Sequence, residues 1–127
     1  MQNRAYDAYL ESRVMSADGL ELVRVLYEAA IDAIVAAQRH VREKNIRLRS
    51  DEISKAQAII GELAVALDDE KGGTISHDLR ETYGWVMISL ATANAEQREE
   101  PLAHAEGVLR TLLAGWRQCV LEPKAAA

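Results

Sequence analysis

The stretch Asp51-Glu52-Ile53-Ser54-Lys55-Ala56-Gln57-Ala58-Ile59-Ile60-Gly61-Glu62-Leu63-Ala64-Val65-Ala66-Leu67 decides the fold. Ile53, Ala56, Ile60, Leu63 and Leu67 recur at alternating steps of three and four. That spacing puts them on one stripe of a helix, the seam of a helix packed in a bundle. The pattern begins around Asp51 and stops at Asp68–Gly73, where Gly72-Gly73 offers backbone freedom that a helix does not use.

Working outward, three more segments carry the same period, and none shows strand-like alternation of useful length. The segment before starts at Asp18, placed to cap the first turn with Glu21 three residues on. Its stripe runs through Leu22, Leu26, Ala30 and Val41, and Tyr27, Ile31, Ile34 and Val35 widen it, with an end near Lys44 or Asn45. The third starts near Ser76 as N-cap and repeats Leu79, Tyr83, Val86, Leu90 and Ala93. It ends before Pro101, which suits the first turn of a fourth helix with the stripe Leu102, Ala105, Leu109, Leu112 and Trp116. Short connections make neighbours antiparallel. The expected fold is therefore all-α: an antiparallel four-helix bundle over residues 18–121. A short helical or extended segment precedes it over residues 1–17, docked or mobile, and a disordered tail follows over residues 122–127.

Composition excludes several function classes. A chain of 127 residues with net charge −5 lacks the basic footprint of a general nucleic-acid binder. With one cysteine, Cys119, no intrachain disulfide forms, and Cys119 reads as a structural thiol in a reducing compartment. No apolar run approaches the roughly 20 residues of a membrane span, and the start shows no secretory signal. The expected location is the cytoplasm, with no membrane insertion.

Nothing in the pattern supplies catalysis. Di-iron bundles carry Glu-x-x-His, yet three residues before His40, His77 and His104 stand Ala37, Thr74 and Pro101. The histidines read as solvated or capping groups, so no metal, cofactor or catalytic residue is expected. The acidic run Asp68-Asp69-Glu70 reads as a helix end in water. Arg39, Arg42, Lys44, Arg47 and Arg49, opposed by Glu43 alone, read as a solvated turn matched to a helix dipole.

The informative feature is an absence of charge. Thr82 to Ala95 contains no Asp, Glu, Lys or Arg, and Lys55 to Asp68 encloses only Glu62. A bundle helix without a charged face is buried or covered. Trp85, Ile88 and Thr92 form a second stripe beside the third seam, and Ile59 and Ala66 lie off the second. Two readings fit: residues 1–17 cover the excess, or the second and third helices form a groove for an apolar partner segment. They are compatible if the N-terminal segment closes the groove until a partner displaces it. A homodimer fits the same excess.

The chain also resembles the FliS family of flagellar secretion chaperones, from about Tyr6 to Val120. Leu67-Asp68-Asp69-Glu70-Lys71-Gly72-Gly73-Thr74-Ile75-Ser76 looks like the family's Leu-Asp-x-Glu-Lys-Gly-Gly-x-Ile-Ser connection. Ser54-Lys55-Ala56-Gln57-Ala58-Ile59-Ile60 is similar to its Ser-Lys-Ala-Gln-x-Ile-Ile helix, and Leu26-Tyr27-Glu28-Ala29-Ala30 to its Leu-Tyr-Asp-Gly-Ala. Trp116 matches a late-helix aromatic, and Tyr6 and Tyr9 resemble its N-terminal tyrosines. Gly84-Trp85 and Ala29 depart from the family's usual residues. The resemblance implies a non-enzymatic cytoplasmic chaperone. Its partners would be the disordered C-terminal region of flagellin, kept from premature polymerisation, and the flagellar export apparatus. Partner-binding residues would then be Tyr6, Tyr9, Leu10, Ile59, Ala66, Trp85, Ile88 and Thr92. The alternative functions are a helical adaptor for a regulator of flagellar gene expression and, behind it, a metal-binding bundle.

Overall fold

A computed structural model of the chain describes residues 19–67 and 69–121. The N-terminal segment with Tyr6, Tyr9 and Leu10, the cap Asp18 and the tail from residue 122 lie outside these described residues, as does the Cys119 side chain. Four long helices account for the rest: α1 over Gly19–Arg42, α2 over Ile46–Val65, α3 over Thr74–Glu96 and α4 over Glu100–Leu121. They form a ring. α1 packs on α2 and α4, α3 packs on the same two, and neither diagonal pair brings backbones together. The expected all-α, antiparallel four-helix arrangement is observed, with no strand among the described residues.

The core follows from side-chain size. With no Phe in the chain, it is built from aliphatic residues with Tyr27 and Tyr83 as its buried aromatics. α1 contributes Ala29, Ala30, Ala33 and Ala37 with Ile31 and Ile34, all buried. Small residues on one face let neighbouring helices approach closely, and Ile53, Ile60, Leu90, Leu102, Leu109 and Val86 fill the interior. Each such side chain contributes roughly 1.5–3 kcal/mol through burial. Leu22, Leu26 and Val41 are only half-buried, and Leu113 rather than Leu112 continues the α4 seam inward.

The connections correct the expected boundaries. α2 begins at Ile46, well before Asp51, because the Asn45 side chain accepts a hydrogen bond from the Leu48 amide at 3.1 Å and caps the first turn. Lys44 adopts φ 58 to make the turn, and the Asn45 amide returns to the His40 carbonyl at 2.9 Å. Ser76 is not the N-cap of α3; it is buried inside that helix. The cap is Gly73 at φ 52, ψ −124, a backbone region closed to residues with a Cβ. Asp69–Gly72 forms a single helical turn before it. A Cβ on Gly72 would stand 1.9 Å from Ser76 Oγ, so the buried serine requires glycine there. Gly84, by contrast, has nothing within 4 Å of a built Cβ, and no neighbour approaches it closely.

Two buried polar features were expected on the surface or on separate seams. Arg49, expected in a solvated basic turn, is buried. Its Nε donates to Asn94 Oδ1 at 2.9 Å and its Nη2 to the Asn94 carbonyl at 3.3 Å, and Ser50 Oγ donates to the same Oδ1 at 3.1 Å. The cation thus sits at the negative end of α3, where the helix dipole favours it. Arg42 of the same cluster pairs with Glu99, while Arg39, Lys44 and Arg47 stay exposed. Across the bundle's diagonal, the Tyr27 and Tyr83 hydroxyls meet at 2.7 Å in the interior. Burial pushes both phenols above their ordinary range, Tyr27 the more clearly.

Three outcomes follow from this packing. Gly73→Ala lowers stability by about 1–3 kcal/mol in urea unfolding, whereas Gly84→Ala raises it by about 0.5–1 kcal/mol. Tyr27→Phe strands the Tyr83 hydroxyl and costs about 1–3 kcal/mol, and the Tyr27→Phe/Tyr83→Phe double variant recovers most of that loss. Because both phenol pKa values are raised on folding, the neutral pair stabilises fully below the ordinary phenol value of about 10 and loses that contribution as pH rises past it. Alkaline thermal melts show this decline in the wild type and lack its tyrosine component in the double variant.

Candidate interaction face

Each seam of the ring is closed differently. Along α1–α4, Gln38 Nε2 donates to Glu106 Oε1 at 2.7 Å, Arg117 Nη2 to Glu28 Oε2 at 2.6 Å, and Arg42 pairs with Glu99. Glu106 also accepts from Arg110 Nε, and the Gln38 amide and Arg110 together hold its carboxyl below the usual range. Along α2–α3, Asn94 ties down Arg49 and Ser50, and Arg80 Nη1 donates to the Ala64 carbonyl at 3.4 Å. The α3–α4 seam has no counterpart. From Thr82 to Thr92, no side-chain hydrogen bond or ion pair reaches α4 among the described residues.

That open seam carries the exposed apolar groups of α3. Trp85 is 68% exposed and Ile88 is 55% exposed, one turn apart, with Thr92 half-buried one turn further. Trp85 and Thr82 line one groove of about 250 Å³ with His104 and Val108 of α4. A second hollow of about 460 Å³ continues over α4 along Gly107, Val108, Thr111 and Leu112. Glu106 and Arg110, the only acid and base of α4 between His104 and Trp116, pair with each other and turn to the α1 flank. The face is therefore apolar and uncharged over three helical turns.

The expected residues divide. Trp85 lines the groove with α4, and Ile88 and Thr92 follow it one and two turns further along α3. Ile59 does not: it is 6% exposed, within the core, so the expectation that it lies off the seam is corrected. Ala66 is exposed at the C-terminal cap of α2, near Val65 at 82% and Ile75 at 69% exposure, at the end of the bundle. The seam between the second and third helices carries the polar ties of Asn94 and Arg80. Sequence reading missed His104, Val108, Thr111 and Leu112. The available signal was the four-residue spacing of Glu106 and Arg110, which puts both charges on one flank of α4 and leaves the other bare.

The histidines also divide. His40, expected in solvent or at a cap, is buried with Nδ1 unbonded, 3.4 Å from Glu43 Oε1. His77, Asp78 and Glu81 bring possible ligand atoms within 4.8 Å of one another, fully exposed on the first turns of α3. The positive end of a helix works against a cation there. No described helix is long and apolar enough to cross a membrane.

Comparison with known proteins identifies the chain's relatives. The chain matches the family described as flagellar protein FliS over residues 1–123. It is 33% identical over 118 residues to the flagellar secretion chaperone FliS of Salmonella typhimurium, covering 92% of this chain and 86% of that protein. To the flagellar secretion chaperone FliS of Campylobacter jejuni it is 32% identical over 119 residues, covering 93% of both. To that of Escherichia coli it is 29% identical over 115 residues, covering 90% and 85%. These relatives are named as secretion chaperones, a non-enzymatic class. The chain belongs to the flagellar protein FliS family.

Proposed function

We propose that this chain is a cytoplasmic export chaperone of the flagellum. It holds the disordered C-terminal region of flagellin on the α3–α4 face, keeps it from polymerising early, and hands it to the export apparatus. Family membership supports the chaperone role, and the relatives' names support the link to flagellar secretion. The observation that carries the site is the uncharged surface around Trp85, exposed beside a seam that no side-chain polar tie crosses among the described residues. Contiguous apolar surface of this kind marks a partner site. A segment without fixed structure can lie along such a groove with its apolar side chains inward. An aromatic in the centre of the face is the usual anchor of such contacts.

Calorimetric titration with a synthetic C-terminal flagellin segment tests the proposal. The expected result is 1:1 binding with a negative heat-capacity change, the mark of apolar burial. Trp85→Ala and Ile88→Asp each weaken binding by roughly tenfold or more while far-UV circular dichroism stays unchanged. Val35→Ser, an exposed apolar position on α1, leaves binding as it was. Ile59→Asp behaves differently and unfolds the bundle, since it buries an unpaired carboxylate, at a cost of about 3–5 kcal/mol. Equal binding by wild type and both face variants would remove the α3–α4 face from the account.

A further inference from the structure

Of the side chains lining the α3–α4 groove, only His104 is ionisable. It is exposed, and it lines both hollows beside Val108. We infer that His104 makes capture of the apolar segment proton-dependent: a neutral imidazole is covered by the docked segment, and a protonated one keeps its water and opposes docking. The inference rests on reading this groove as the flagellin site.

The surroundings leave the imidazole without a compensating carboxylate. On α4, Glu100 lies one turn back and is engaged by Arg98, and Glu106 and Arg110 pair on the other flank. From α3, the groups lining the groove with His104 are Thr82, Trp85 and Val86, none charged. On that helix Glu81 stands one turn before Trp85 and 3.6 Å from His77, and Glu96 at its end is paired with Arg98. From α1, the charges turned toward α4 are Arg42, paired with Glu99, and Glu28, paired with Arg117, both on the far seam. α2 does not pack on α4. An apolar segment laid over His104 strips water from the ring, which penalises only the charged form.

The sign follows from that penalty. An apolar segment over the ring favours its neutral form, so binding is stronger where the imidazole is neutral and weakens as acid protonates it. The test is titration with the same synthetic flagellin segment at about pH 7.5 and about pH 5.5. Wild type should lose roughly tenfold in affinity between the two, at most tenfold per pH unit for one proton. His104→Gln should bind about equally at both, and His104→Lys, a permanent cation, should bind weakly at both. Affinity of the wild type that does not change with pH overturns the inference, as does the same loss in His104→Gln. No binding at about pH 7.5 would instead overturn the groove reading, and the inference with it.

Discussion

Close packing of the alanine face of α1 determines what the other helices can do. Ala29, Ala30, Ala33 and Ala37 let α2 and α4 approach on either side, and the aliphatic groups of those helices fill the interior behind them. Both flanks of α1 are consumed in this way. α3 completes the ring from the opposite side and reaches α1 through the bond between the Tyr27 and Tyr83 hydroxyls. It is fixed to α2 by buried and half-buried polar ties, and toward α4 by apolar contact at its inner edge alone. The α3–α4 seam is therefore held by apolar contact, with the exposed Trp85 beside it.

Much of this was legible in the chain. The period of Ile53, Ala56, Ile60 and Leu63 specified a bundle helix, and the charge-free run of α3 contains its exposed apolar groups Trp85 and Ile88. What was not legible is how two helices share a seam. Ile59 sits beside a seam residue in sequence and looked spare. It is buried because the alanines of α1 leave room for a second residue on that side of α2. Arg49 looked like part of a solvated turn. The antiparallel return of α3 brings the Asn94 side chain and carbonyl to it, and no periodicity within one helix can reveal a partner so far along the chain. Ser76 carried every local sign of an N-cap, but Gly73 takes that position because its backbone can turn where no other residue can.

The same asymmetry joins fold to function. A chaperone for an unstructured segment needs apolar surface that remains soluble when empty. Here that surface is narrow, edged by threonines and glycines, and interrupted by one histidine, so the uncovered state stays compatible with water. Cross-helix charged ties lie on the α1–α4 and α2–α3 seams and leave the α3–α4 face without competing ions. The polar ties and the proposed binding surface thus lie on different sides of the same helices, and α4 illustrates both: Glu106 faces α1, and Val108 faces the groove.

Shielding of Trp85 measures the central claim most directly. With Trp116→Phe, Trp85 is the only tryptophan, and its exposed ring should be readily quenched by acrylamide in the free protein. Adding the flagellin C-terminal segment to saturation should shift its emission to the blue and cut the quenching several-fold. A segment that binds in full while Trp85 stays as accessible as before would contradict the account, because the partner would then lie elsewhere on the bundle.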